Sequence, residues 1–141
     1  MESGQSQTVV LDSNVIIKEI QEGRVLRPIA KRMRRYKSKL VIPEIVLGEV
    51  SKITGSDPAA TMERVYQYCK HPITVDRNNE VISESQKLSE KYYECHSPDN
   101  LILATAKLTG STLVSFDRDL LQTAKMEGVQ AFLPRNYIRW G

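Results

Sequence analysis

Val9-Val-Leu-Asp-Ser-Asn-Val-Ile-Ile17 is the stretch that decides the fold of this chain. Its apolar beginning predicts a short buried strand over residues 9–11, and the Asp-Ser-Asn run after it carries the side chains that begin a helix. A carboxylate beside buried apolar sequence is costly unless it is paired or binds a cation. An isolated Asp at such a position is more often a helix cap or a turn residue, so Asp12 has to be judged together with the other acids of the chain.

Strand and helix patterns alternate along the rest of the sequence. Strands are predicted at residues 9–11, 40–42, 73–75, 112–115 and 129–133. Helices are predicted at residues 15–20, 26–36, 44–53, 58–68, 79–92, 98–108 and 120–125. Because strands that alternate with helices pair in parallel, the predicted fold class is α/β, a three-layer αβα sandwich around a central parallel sheet. Ligands of such sheets gather at the carboxyl ends of the strands, where the strand order reverses.

Composition limits the domain organisation and the class of protein. The 141 residues are 40% hydrophobic and 26% charged, which predicts one domain over residues 8–141 after a flexible N-terminus at residues 1–7. No apolar run approaches the roughly 18 residues of a membrane span, and no signal-peptide pattern is present. Two isolated cysteines suit a reducing compartment, so we expect a cytoplasmic protein without membrane contact. The net charge of +3 permits binding to a polyanion without demonstrating it.

Four acidic residues far apart in the sequence have positions of the same kind. Asp117 follows an apolar strand as Asp12 does, and Asp99 opens a strongly apolar helix. Glu49 lies on the same helical stripe as buried residues. One of Asp117 and Asp119 is expected to cap the next helix while the other faces the cleft, and Asp117 is favoured as the inward residue. The sequence therefore predicts that folding assembles these acids into one site.

A cluster of carboxylates predicts a particular chemistry. Carboxylates that share a site repel one another, so some of them stay protonated unless a cation relieves the repulsion. Mg²⁺ and Mn²⁺ prefer oxygen ligands of this kind. Such ions activate water and screen the charge of a phosphate, which suits phosphoryl chemistry.

Four segments resemble, in order, the motifs of PIN-domain nucleases: Val9-Val-Leu-Asp-Ser-Asn-Val-Ile-Ile17, residues 43–50, Pro98-Asp-Asn-Leu-Ile-Leu-Ala-Thr-Ala106 and Leu113-Val-Ser-Phe-Asp117. The resemblance covers nearly the whole chain. It implies a Mg²⁺- or Mn²⁺-dependent acidic site that hydrolyses phosphodiester bonds, usually of RNA, and leaves a 5′-phosphate and a 3′-hydroxyl.

The resemblance also implies roles for individual residues. The catalytic and metal-binding acids would be Asp12, Glu49, Asp99 and Asp117. Asn14 and Ser115 match small polar positions that support the first and last acids through hydrogen bonds. Asp119 matches an extra acid that some members of the family carry.

The short single domain is most similar to the toxins of VapBC toxin–antitoxin pairs. That similarity implies a homodimer that a small antitoxin protein blocks. Three alternatives stay open: an RNA-processing factor, an RNA-binding module without turnover, and a structure-specific DNA nuclease.

Basic residues concentrate in the helix predicted after Gly23. Arg27, Lys31, Arg34 and Arg35 occupy faces away from its apolar stripe. They are expected to bind the phosphate backbone of RNA without reading its sequence. A solvated helix face is the alternative explanation.

Overall fold

One parallel sheet of five strands forms the centre of the molecule in the computed structural model, which describes residues 7–140. The strands are β1 (Thr8–Leu11), β2 (Lys39–Pro43), β3 (Ile73–Val75), β4 (Thr112–Val114) and β5 (Ala131–Phe132). Their spatial order is β3-β2-β1-β4-β5, and all four neighbouring pairs are parallel. The order reverses between β1 and β4, so the carboxyl ends of these two central strands lie side by side.

Helices cover the sheet and complete the predicted three-layer α/β sandwich. They are α1 (Ser13–Glu22), α2 (Leu26–Arg35), α3 (Glu44–Thr54), α4 (Pro58–Tyr66), α5 (Asn79–Lys91), α6 (Asp99–Thr109), α7 (Arg118–Met126) and α8 (Pro134–Arg139). None of these eight helices, in the part of the chain that the structure describes, is long and apolar enough to cross a membrane.

The core lies where the apolar faces of the helices meet the middle of the sheet. Every residue of β4 is buried, as are residues 101–106 of α6. Burial on all sides explains why the α6 sequence is apolar without a clear stripe. Gly110 ends α6 in the left-handed conformation, with φ of 65°, which only glycine adopts without strain. Helix α6 and strand β4, which position site residues, therefore lie in the most buried part of the fold.

Several element predictions were wrong in detail. A helix, α8, occupies residues 134–139, where none was predicted; Pro134 begins it as a first-turn proline. The pair Ser97-Pro98 has the pattern of an N-cap followed by a first-turn proline, but Pro98 itself occupies the cap position of α6 and makes no side-chain capping bond. Ile53 continues the helical apolar pattern of Ile45, Val46 and Val50, yet it lies at the end of α3 and is 52% exposed. Of the predicted flexible terminus, all but Gln7 lies outside the described residues.

Glu19 joins three helices from a fully buried position. Its side chain is 1% exposed, and one carboxylate oxygen accepts hydrogen bonds from the backbone N–H groups of Val25 (2.9 Å) and Leu26 (2.8 Å). The other oxygen lies 3.7 Å from the guanidinium of Arg64 on α4. Helix α2 has no side-chain cap of its own. Glu19 of α1 therefore satisfies the N–H groups that would otherwise be unpaired at the start of α2.

Replacing Glu19 with alanine should lower the free energy of unfolding by about 2–4 kcal/mol. The variant leaves two buried N–H groups without acceptors and removes a charge-assisted bond at a helix N-terminus. Urea denaturation followed by circular dichroism measures the change. Glu22→Ala, an exposed acid on the same helix, is the matched control and should change stability by less than about 0.5 kcal/mol. Equal effects of the two substitutions would contradict the capping role of Glu19.

Candidate active site

Asp12 lies at the carboxyl end of β1, next to the end of β4. Its backbone N–H donates to the carbonyl of Val114 at 2.9 Å, and its side chain is 3% exposed. The prediction that this segment caps α1 was only partly correct. Asp12 occupies the cap position, but its carboxylate makes no capping bond and accepts instead from the hydroxyls of Ser115 (2.6 Å) and Ser13 (3.3 Å). Burial raises the pKa of Asp12, and these hydrogen bonds oppose the rise.

Ser115 is the hydrogen-bonding centre that fixes this carboxylate. Its hydroxyl receives bonds from the side-chain amide of Asn14 (3.2 Å) and the backbone N–H of Asp117 (2.9 Å). Asn14 is itself oriented, because its carbonyl oxygen accepts from the N–H of Phe116 at 3.2 Å. Both neighbours of the hydroxyl are donors, so its single proton points to Asp12. Of the two predicted supporting residues, Ser115 thus contacts the first acid directly, and Asn14 is linked to that acid through Ser115.

Asp99 interacts electrostatically with the other three predicted acids. It is the first residue of α6 and half-buried, and its pKa is raised to about 7, first by burial and then by repulsion from Asp12, Asp117 and Glu49. Glu49 reaches this neighbourhood from the middle of α3. Four residues that are distant in sequence therefore form one electrostatic site at the carboxyl edge of the sheet.

Asp117 combines two functions that the sequence reasoning had divided between neighbours. Its carboxylate caps α7 by accepting from the N–H groups of Asp119 (3.0 Å) and Leu120 (3.3 Å). It also raises the pKa of both Asp12 and Asp99 through its charge. Asp119 is exposed and lines, with Asp99 and Asp117, a pocket of about 190 Å³. The expected choice between a cap and an inward acid was therefore wrong: Asp117 is both.

The site's donor chemistry fits a hard divalent cation. Within residues 7–140, no three carboxylate, imidazole or thiol groups converge closely enough to hold an ion together. Mg²⁺ does not require such a cage, since it commonly keeps several waters and binds through one or two carboxylates. Mutual repulsion adds to burial in raising the pKa of Asp99. A partly hydrated cation among Asp12, Glu49, Asp99 and Asp117 would relieve that repulsion.

The cations predicted to bind RNA lie on α2, which is confirmed as an amphipathic helix. Arg27, Lys31, Arg34 and Arg35 are all exposed. Arg34 lines a cavity of about 550 Å³ together with Lys39, the first residue of β2. This cavity lies at the amino edge of the sheet, opposite Asp12. The C-terminal part of α2 therefore lies away from the acids, and RNA binding by α2 stays a prediction.

Two features near the acids were missed by the sequence reasoning. Glu94 and Cys95 line the acidic pocket from the segment before α6; burial raises the pKa of the Cys95 thiol to about 11, so it is protonated at neutral pH. The strand predicted over residues 112–115 ends at Val114, and Phe116 beyond it is 36% exposed. Its position between two polar residues, Ser115 and Asp117, was the sequence signal that could have predicted this exposure.

The sequence matches the PIN domain over residues 9–126. This chain therefore belongs to the PIN-domain family, whose members are nucleases that generally use divalent metal ions. A search of curated proteins found no match.

Solved structures similar to this chain share its fold at low sequence identity. VapBC-1 from nontypeable Haemophilus influenzae has a TM-score of 0.67 at 17% identity, with 91% of this chain and 98% of that chain covered. A toxin–antitoxin complex from Klebsiella pneumoniae has a TM-score of 0.59 at 21% identity, covering 80% and 89%. SSO1118, a PilT N-terminus domain protein from Sulfolobus solfataricus P2, has a TM-score of 0.59 at 15% identity, covering 94% and 91%.

Replacing Asp99 with asparagine should stabilise the metal-free protein at neutral pH. The carboxyl has a pKa of 3.8 without the fold and about 7 within it, so its cost to stability is absent below about pH 4 and complete above about pH 7. The gain in the free energy of unfolding should rise across that interval to about 1–2 kcal/mol, after allowance for solvent screening. Urea denaturation in EDTA at several pH values measures it.

The control for this pH dependence is Asp76→Asn, which changes an exposed acid. Its effect on stability should be small and constant between about pH 4 and pH 8. A gain in Asp99→Asn that does not depend on pH would show that the fold does not raise the pKa of Asp99.

Proposed function

We propose that this protein is an endoribonuclease that uses Mg²⁺ or Mn²⁺ to hydrolyse phosphodiester bonds. The observation that carries the proposal is the raised pKa of Asp99, which is caused first by burial and then by the joint repulsion of three other acids. A chain gains nothing in stability from bringing four carboxylates to one edge of a sheet, so their assembly points to a ligand that needs them. Membership of a nuclease family supports the same conclusion.

In this proposal each acid has a role that its contacts support. Asp12 is the anchoring ligand, because Ser115 and Ser13 direct hydrogen bonds at its carboxylate and hold it in one orientation. Asp99, Asp117 and Glu49 complete the negative site, and Asp119 is available as a further ligand at the pocket rim. Asn14 and Ser115 are positioning residues. A bound cation would supply the activated water and screen the phosphate charge.

The chain's own groups also determine when the site is ready for a cation. Asp99 has to lose its proton before it can act as a ligand, and its pKa of about 7 places that step near neutral pH. Metal affinity should therefore fall in mildly acidic solution. The Ser115 hydroxyl accepts from Asn14 and Asp117 and donates to Asp12, so its proton favours an Asp12 carboxylate that is ready to bind a cation.

Asp12→Asn and Asp99→Asn should each reduce RNA cleavage by roughly a hundredfold or more, as loss of a charge-stabilising group commonly does. EDTA should abolish cleavage by the wild type, and Mg²⁺ or Mn²⁺ should restore it. The assay follows a labelled single-stranded RNA on a denaturing gel, with single-stranded DNA of the same sequence beside it.

The matched control for cleavage is Asp57→Asn. Asp57 caps α4 with an exposed side chain, and asparagine caps a helix equally well, so activity should be unchanged. Equal activity of all three variants and the wild type would refute the metal site. RNA binding without turnover under every metal condition would identify a binding module, and preferential cleavage of the DNA would identify a DNA nuclease.

We further propose that the nuclease is the toxin of a toxin–antitoxin pair and acts in the cytoplasm as a homodimer. Two of the similar structures are toxin–antitoxin complexes that share the fold of almost the whole chain. An unrestrained ribonuclease harms its host, so a small antitoxin protein would have to cover the acidic edge. A basic side chain of such a partner could enter among the acids.

Expression of this chain alone should stop the growth of a bacterial host, and Asp12→Asn should remove the effect. Growth arrest is measured as colony formation after induction, with the amounts of both proteins compared on a gel. Co-expression of a short neighbouring reading frame should restore growth. Normal growth in the presence of soluble, active nuclease would assign the protein to RNA processing and leave the nuclease proposal intact.

A further inference from the structure

A second surface lies beside the acids, formed by Lys18, Phe116, Arg118 and Arg135, which we call the Phe116 patch. The Phe116 ring lines a cavity of about 320 Å³ together with Arg118 and Arg135. The ammonium of Lys18 lies 4.7 Å from the centroid of the same ring. One aromatic ring and three cations therefore share a surface at the carboxyl edge of the sheet.

The Phe116 patch is attached directly to the acidic site. Phe116 lies between Ser115, which binds Asp12, and Asp117 in the sequence, and its N–H donates to Asn14. Lys18 is one helical turn after Asn14 on α1, so both point to the same side. A molecule bound to the patch would therefore lie beside the acids.

Helix α7 separates the two surfaces. Asp119, Leu120 and Thr123 line the acidic pocket. Arg118, Gln122 and Lys125, on another face of the helix, line a further cavity of about 200 Å³ that shares Arg118 and Leu133 with the Phe116 cavity. A helix with its side chains is about 10–12 Å across. Positive charge thus continues along one side of α7 while the acids occupy the other.

The cations of the patch have no internal function as ion-pair partners. Within residues 7–140, no carboxylate lies within ion-pair distance of Lys18, Arg118 or Arg135. By contrast, Lys91 and Lys107 contact Glu127 at 2.9 Å each. Among the described residues, two lysines elsewhere are therefore paired, whereas the cations of the patch are available to bind an external anion.

We propose that the Phe116 patch holds the single-stranded nucleic acid substrate next to the acidic site. An unpaired base stacks on the Phe116 ring, while Arg118 and Arg135 contact the flanking phosphates and Lys18 adds positive charge over the ring. Stacking on an aromatic ring inside a cationic groove is how proteins bind single strands without reading their sequence. The inference rests on the proposed nuclease function, because it assigns that site its substrate-binding surface.

Charge complementarity decides which occupant the patch takes. A phosphodiester strand has to approach acids that repel it, so binding requires cations outside the acidic pocket, and the Phe116 patch supplies three of them. An acidic protein would also match the cations, so polyglutamate is the competitor to compare with RNA. The combination of ring and cations favours a nucleotide.

The first test measures the binding of a short single-stranded RNA by fluorescence anisotropy in EDTA, where no cleavage occurs. Arg118→Gln combined with Arg135→Gln should reduce the dependence of log affinity on log salt by about 1.4, since each phosphate contact on a single strand contributes about 0.7. The control is Lys52→Gln combined with Lys87→Gln, two exposed cations on α3 and α5, which should leave the slope unchanged. An equal loss in both pairs would overturn the proposal.

The second test separates stacking from folding. Phe116→Leu should weaken RNA binding between about fivefold and a hundredfold, and Phe116→Tyr should retain it. With an abasic oligomer of the same length and charge, wild type and Phe116→Leu should bind equally, because no base is left to stack. A loss of affinity for both oligomers would mean that the ring has only a structural role.

Three results would overturn the proposal. The first is a salt slope that changes on replacing Arg27 and Lys31 of α2 but not Arg118 and Arg135. The second is an unchanged affinity in Phe116→Leu. The third is that polyglutamate binds as tightly as RNA and that the patch variants weaken the binding of both equally, which would identify an acidic-protein site. Binding that follows the patch without any cleavage would refute only the proposed nuclease function, whereas cleavage without these binding effects would refute only the patch.

Discussion

The hydrogen bond from Ser115 to Asp12 joins two residues that are 103 positions apart, and it exists only because β1 and β4 are neighbours in the sheet. The strand order reverses between these strands, so the connections that follow them leave in opposite directions. A gap therefore remains between the carboxyl ends of β1 and β4. Asp12 fills the end of one strand and Ser115 the end of the other. This contact positions its neighbours, since Asn14 and Asp117 bond to the same Ser115 hydroxyl and Phe116 bonds to Asn14.

That arrangement is unfavourable for the folded state taken alone. Burial and like charges raise the pKa of two of the acids, which means that the fold holds them against their tendency to ionise. The cost is tolerated because the supporting elements are the most buried ones, notably α6 and β4. The ionic cluster around Glu127 shows the opposite design: two lysines and Tyr92 lower its pKa to about 2, and that carboxylate contributes to holding helices together. Acids of one chain thus repel one another in one place and pair with cations in another.

The order of strands and helices could be predicted from sequence because each strand is a short apolar run with helix-starting residues after it. The meeting of Asp12 and Asp117 could be predicted for the same reason, because residues that follow parallel strands meet at one edge. Glu49 and Asp99 lie on helices, so only the pattern of buried residues around them indicated that they join this edge. The cap made by Glu19 could not be predicted, because a buried acid in the middle of a helix has no local sequence pattern. Its hydrogen-bond partners at the start of α2 come close only when the chain has folded. Arg32 is similar. It looks like one more surface cation, yet it is 5% exposed and donates to the carbonyl of Trp140, because the unpredicted α8 packs over it.

Helix α7 begins directly after Asp117 and carries acids and cations on different faces, and this has a consequence for evolution. Each residue of an α-helix turns the chain by about 100°, so inserting or deleting one residue in its first turn would rotate Arg118 and its neighbours out of phase with the acid that caps the helix. Substitutions there alter one contact, whereas a change of length exchanges the two surfaces. Chains descended from the same ancestor should therefore tolerate length variation around residues 55–57 or 76–78 far more readily than between residues 115 and 125.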